Sequence, residues 1–152
     1  MTHSHNDPAD AELAGARVRQ LTDLTERLTA RLSDETAAFE ARRPQDVAAG
    51  LAETQEMANL YRRDTAHVKA NPALLSAAPL ADRTALIDAT RLFEQIVSAH
   101  GRAVEAARVI SEGLLRAIAE EAARARPSGA AYGAGGAAST SDGRAFALNR
   151  TA

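Results

Sequence analysis

Alanine supplies more than half of the apolar residues in this chain. Of the 152 residues, 69 are apolar and 37 of these are alanine, which leaves 32 large apolar side chains. Alanine favours the α-helix but buries little surface. The chain therefore lacks the bulk for a thick two-layer core, and its composition predicts long helices that meet along narrow seams. We expect an elongated all-α fold.

Apolar residues recur at helical spacing in three segments that prolines separate. The first segment covers about residues 10–42 and ends before Pro44; the second covers about 45–70 and ends at Pro72; the third covers about 80–125. The last two segments show heptad spacing. These patterns predict an up-down antiparallel bundle, or coiled coil, of three long helices. The side chains expected to be buried together are Leu24, Leu28, Tyr61, Phe93 and Ile96.

Composition also predicts the domain boundaries. Residues 1–10 are polar and are expected to form a flexible N-terminus. The bundle domain is predicted over residues 11–126. From residue 127 to 152 the chain holds five of its nine glycines, together with Ser and Thr and few charges. This composition is typical of a flexible, disordered tail.

Charge and residue usage exclude several classes of function. The 18 basic and 20 acidic residues alternate along the chain and form no basic stripe, so nucleic acid is not expected as a partner. Cysteine is absent, which excludes disulfides and zinc–thiolate sites. The N-terminus has no apolar signal region, and no apolar stretch is long enough to span a bilayer. We expect a cytoplasmic protein without stable membrane insertion.

Histidines are the candidates for acid–base chemistry at neutral pH. His3 and His5 lie on the polar N-terminus without further ligands at fixed spacing, so no metal site is predicted. His67 and His100 invite comparison with histidine phosphotransfer bundles, but that family carries His-x-x-Lys-Gly, and Lys69 stands two residues after His67 with no glycine following. We expect no enzyme and no cofactor, and phosphotransfer remains the less favoured alternative.

Helix length points to an uncovered surface. At 1.5 Å per residue the three helices are roughly 50, 40 and 70 Å long, so the third should extend about 15 to 20 residues beyond the others, from near Ala107. An apolar stripe without cover from neighbouring helices is usually an interaction surface, and the alternatives are a partner protein, a homodimer, or the chain's own tail bent back onto it. Its large side chains are Ile110, Leu114, Leu115 and Ile118.

Two stretches carry a resemblance to a known group. Residues 58–79, which open with Ala58-Asn-Leu-Tyr61-Arg-Arg-Asp64, and residues 101–121, which include Val-Ile-Ser-Glu-Gly-Leu-Leu-Arg, resemble alphaproteobacterial flagellar proteins of the FlbY group. More distantly, long helices followed by Tyr132-Gly-Ala-Gly-Gly136 look like FlgN-type flagellar export chaperones, whose tails often show a Tyr-Gly-x-x-Gly element.

The second resemblance implies a function. Such chaperones are cytoplasmic, bind hook-associated proteins of the hook–filament junction through the C-terminal helical part and tail, and deliver them to the export gate. It implies that the four large apolar residues from Ile110 to Ile118 bind a client, and that Tyr132 contacts the gate. An aromatic side chain in a glycine-rich segment can enter a partner's pocket. A self-assembling helical scaffold is the structural alternative.

Overall fold

The computed structural model describes residues 7–126, and within that range the chain forms α-helices and no strand. The helices are α1 (Pro8–Glu40), α2 (Gln45–Ala48), α3 (Leu51–Ala70), α4 (Pro72–Ala77) and α5 (Leu80–Ala125). The predicted all-α fold with three long helices is confirmed for these residues. The predicted tail at 127–152 and most of the N-terminal segment lie outside them, and the domain boundaries stay predictions.

The prediction of one continuous second helix is wrong, because two separate helices, α2 and α3, form in that segment. The helical hydrogen bonding is interrupted at Ala49 and Gly50, so that α2 ends and α3 begins there. Gly50 lies directly beneath the side chain of Arg31, and a Cβ at this position would stand 2.7 Å from Arg31 Nη2. Glycine thus allows Arg31 to cross the junction between the two helices.

A left-handed residue ends α1. Arg42 has φ 59° and follows the last helical turn. The Arg42 N–H donates to the Phe39 carbonyl at 3.0 Å, and the Arg43 N–H donates to the Ala38 carbonyl at 2.8 Å. This is the Schellman arrangement, which satisfies the last carbonyls of a helix and usually places glycine in the left-handed position. Here an arginine occupies it.

Helices α1 and α5 run in the same direction. Near the start of both, Arg19 Nη1 lies 2.9 Å from Asp82 Oδ2, and further along both, Glu35 lies 3.0 Å from His100. The two helices also approach closely at Gly15 of α1, where an added Cβ would lie 2.7 Å from Asp82 Oδ2. Gly15 therefore lets α1 lie tightly against the start of α5.

Helix α3 runs against the other two. Tyr61 in the middle of α3 packs on Phe93 of α5 with ring centroids 4.6 Å apart, while Thr54, earlier in α3, reaches Glu35, which bonds to His100 later in α5. The order of these contacts is reversed along α3. The predicted up-down antiparallel arrangement is therefore confirmed.

Helix α1 supplies most of the buried side chains. The predicted core residues Leu24 and Leu28 are buried, whereas Tyr61, Phe93 and Ile96 are half-buried. Threonine and alanine complete the core, since large apolar residues are scarce. The buried residues of α1 are Ala14, Gly15, Val18, Leu21, Leu24, Thr25, Leu28, Thr29, Glu35, Thr36 and Ala38.

The chain divides into two compact units. The first extends to Ser111 and holds α1 to α4 and most of α5. The second begins at Glu112, and its described part, to residue 126, consists of the remaining turns of α5 and the residue after them.

Candidate partner-binding surface and buried polar network

The last part of α5 exposes large apolar side chains. From Arg108 to Arg126 every residue is exposed. Three of the predicted site residues recur every four positions, which places them on one helical face. The exposed fractions of the four predicted residues are 53% for Ile110, 60% for Leu114, 66% for Leu115 and 56% for Ile118. Together they form what we call the α5 end face.

Charged side chains of α5 pair along the same helix. Arg108 donates from Nη2 to Glu105 Oε1 at 2.6 Å and from Nε to Glu105 Oε2 at 3.0 Å. The hydrogen bonds from Arg108 and its positive charge lower the pKa of Glu105. Glu105 therefore keeps its charge to a lower pH than an ordinary glutamate. Arg124 lies 3.8 Å from Glu120 in a similar pair.

A buried carboxylate links three helices. Glu35 of α1 accepts a hydrogen bond from Thr54 Oγ1 of α3 at 2.6 Å on Oε1, and its Oε2 lies 3.0 Å from His100 Nε2 of α5. The Glu35 side chain is 11% exposed. The carboxylate therefore joins a hydroxyl of α3 to a ring nitrogen of α5 through its two oxygens. Phe39 packs edge-on against the His100 ring.

Arg31 extends this network to the junction of α2 and α3. Its Nε donates to Thr54 Oγ1 at 3.0 Å, its Nη2 donates to the Gly50 carbonyl at 2.9 Å, and its Nη1 lies 3.2 Å from Glu53 Oε2. Thr54 thus accepts from Arg31 and donates to Glu35. Every nitrogen of the guanidinium has a partner, so the chain of bonds fixes the relative register of α1, α3 and α5.

Sequence reasoning found only part of this network. The heptad spacing of the second and third predicted segments places Thr54 and His100 among the apolar residues of the seams, whereas Glu35 was not predicted. The signal was available, because Glu35 stands seven residues after Leu28 on the buried face of α1. A carboxylate at such a position requires hydrogen-bond donors from facing helices.

The remaining histidines form no further site in the described residues. His67 is exposed near the end of α3, and His3 and His5 lie outside the described part of the chain. Within residues 7–126 no three His, Cys, Asp or Glu side chains group closely enough to hold a metal ion. Tyr132, the other predicted contact residue, also lies outside the described residues.

No helix in the described part of the chain has the length and apolarity needed to cross a membrane. The hydropathy of α5 stays too low over any such length because charged residues recur along it.

Comparison with known proteins gives one clear relationship. No protein-family profile matches the chain, and no solved structure matches it. The flagellar basal-body protein FlbY of Caulobacter vibrioides is 44% identical to it over 142 residues, which cover 91% of this chain and 95% of that protein. The relationship supports a role connected with the flagellum, whereas the resemblance to FlgN-type chaperones stays a prediction. At this identity over nearly the full length of both proteins, the chain belongs to the FlbY family.

Proposed function

We propose that the chain is a non-catalytic, cytoplasmic chaperone of flagellar type III export that binds hook–filament junction proteins and delivers them to the export gate. The observation that carries the proposal is the α5 end face, where four large apolar side chains are more than half exposed. The membership of the FlbY family supports the flagellar setting. A flagellar basal-body relative also favours an assembly role over catalysis.

The α5 end face has the chemistry of a helix-binding surface. Its side chains are aliphatic and lie on consecutive turns, the arrangement by which one amphipathic helix packs against another. Each large aliphatic side chain that a client covers can contribute roughly 1.5 to 3 kcal/mol. A client helix that is prone to aggregate would bury its own apolar face at the same time. Self-assembly through this face is the competing structural proposal.

The test replaces Leu114 and Ile118 together by glutamate. We expect far-UV circular dichroism and the melting temperature to stay close to the parent, because both side chains are exposed, while binding of hook-associated proteins falls by roughly a hundredfold or more. The matched control is Leu13→Glu/Ile87→Glu, which adds the same charge at two other exposed apolar positions. Binding is measured by pull-down from flagellated cells and then by calorimetry with the purified client.

Three results would contradict this role for the face. The first is unfolding of the Leu114→Glu/Ile118→Glu variant, which would make the face part of a core. The second is equal loss of binding in the control variant. The third is a parent homodimer that the variant dissolves while client binding persists, which would favour the scaffold.

Tyr132 is proposed to contact the export gate, a partner that only the FlgN-type resemblance supplies. The variant Tyr132→Ala should keep client binding and lose gate binding, and cells that carry it should assemble filaments poorly. Unchanged gate binding and normal motility would remove Tyr132 from the site. Because the two assays report on different partners, the roles of the α5 end face and of Tyr132 can fail separately.

A further inference from the structure

A second open surface lies between α1 and α5, within the first unit. It is a groove of about 610 Å³. Small side chains line much of it, among them Ala30 and Ser33 of α1 and Ala89 of α5. Leu92, which is 52% exposed, and the half-buried Ile96 add large apolar surface.

The dimensions of the groove suit a helix. The α5 residues that line it run from Ala85 to Ile96, about 16 Å along the axis, or roughly three helical turns. Small side chains on both walls allow another helix to approach closely, since the distance between packed helices depends on the side chains at the contact. The exposed Leu92 offers an apolar anchor at such a contact.

The ionisable residues that line the groove are all acidic. Its ionisable lining residues are Glu26 on α1 and Asp88 on α5, and no basic residue lines it. Within residues 7–126 Glu26 has no hydrogen-bond or ion-pair partner. Asp88 lies 3.8 Å from Arg91, and both side chains are highly exposed, so this pair neutralises the carboxylate only weakly. Each wall therefore carries one carboxylate, of which Glu26 has no basic partner within the described residues and Asp88 has only a weak, exposed one.

We infer that this groove binds an amphipathic helix of another protein, one whose apolar stripe covers Leu92 and Ile96 and whose flanking lysines or arginines face Glu26 and Asp88. The apolar surface supplies affinity, and the two carboxylates select for basic flanks. This binding site is separate from the α5 end face and does not depend on the proposed export role.

The experiment uses two synthetic amphipathic peptides of about 18 residues, roughly the length that spans the groove with a turn at each end. They share one leucine stripe and carry lysine flanks in one case and glutamate flanks in the other. Binding to the full chain is measured by fluorescence anisotropy at low ionic strength, where exposed charges are least screened. We expect the lysine peptide to bind about tenfold more tightly.

Charge reversal in the groove supplies the specific readout. Glu26→Lys/Asp88→Lys should reverse the preference between the two peptides. The control Glu56→Lys/Glu94→Lys changes net charge equally at exposed positions outside the groove and should leave the preference in place. Leu92→Ser should weaken binding of both peptides. In the Leu114→Glu/Ile118→Glu background, where the α5 end face no longer offers the peptides a second apolar surface, the preference for the lysine peptide and its reversal should persist, which keeps this test independent of the proposed function.

Four outcomes would overturn the inference. Equal affinity for the two peptides would remove the charge selection, and an equal effect of the control reversal would make it non-specific. Loss of peptide binding in Leu114→Glu/Ile118→Glu would place the binding at the α5 end face. A parent homodimer in analytical ultracentrifugation that Leu92→Ser dissociates would make a second copy of this chain the occupant.

Discussion

The two parts of α5 have similar sequence patterns and opposite surroundings. Up to Ala107 the heptad places Ala89 and Ala103 in buried positions, and Phe93 packs on Tyr61. From Arg108 onward the same apolar spacing continues, yet every described residue is exposed. An apolar heptad therefore identifies the face of a helix that can be covered, but it does not identify what covers it.

Polar side chains show the same contrast. In the first part of α5, His100 is bonded to a buried carboxylate that also binds α3. In the last part, Arg124 pairs with Glu120 one turn away on the same helix. Pairs of the first kind join helices and fix their register, whereas exposed pairs along one helix contribute little to stability.

The largest expected effect is a difference in the free energy of unfolding between substitutions in the two parts of α5. Phe93→Ala should lower the free energy of unfolding by about 3 kcal/mol, because it removes a half-buried ring that packs on Tyr61. Leu115→Ala should change it by less than about 0.5 kcal/mol, since that side chain is already in water. Urea unfolding followed by circular dichroism measures both. Similar losses for the two variants would mean that the contrast in exposure does not hold in solution.

The buried network provides the second test. Glu35→Ala should cost about 1 to 2 kcal/mol, because His100 Nε2 loses its hydrogen-bond partner and the Thr54 hydroxyl keeps only the longer contact of 3.2 Å to the Gly50 carbonyl. Glu120→Ala, in the exposed pair with Arg124, should stay within about 0.5 kcal/mol of the parent. Chemical denaturation at neutral pH compares the two. A negligible effect of Glu35→Ala would show that the network sets register without contributing stability.

Much of the fold follows from periodicity and prolines. The limits of α1 and α5 lie within about two residues of those predicted, because Pro8 is the first residue of α1, Pro79 directly precedes α5, and Pro44 prevents α1 from continuing. The break at Gly50 was not predicted. Its cause is the Arg31 side chain that crosses the junction, a contact between residues distant in sequence that local pattern does not contain.

The candidate sites were predictable to different degrees. The α5 end face follows from helix length and apolar spacing, both of which are local properties. Glu35 was missed although its spacing after Leu28 places it on the buried face, because a glutamate in a charged helix is normally solvated and its partners on α3 and α5 are distant in sequence. The groove beside Leu92 depends on how closely α1 and α5 approach, and single-helix patterns carry no information about that distance.

The smallest expected effect is a gain in stability from a substitution at Arg42, which follows α1 and lies outside the α5 end face. Arg42 adopts φ 59°, a left-handed conformation that costs a residue with a Cβ about 1 to 2 kcal/mol. Its side chain is exposed and makes no hydrogen bond or ion pair with residues 7–126, so its removal forfeits no contact. Arg42→Gly should therefore stabilise the protein.

The net gain should be about 1 kcal/mol, because the greater freedom of glycine in the unfolded chain offsets part of the relief. The control Ala41→Gly acts at φ −78°, where a Cβ is not strained, and should lower stability instead. Urea midpoints compare the three proteins. Because stability is expected to reside in the packed part of the molecule and binding at the α5 end face, Arg42→Gly should raise the midpoint and leave client affinity unchanged; a parallel change in affinity would show that the two regions are coupled.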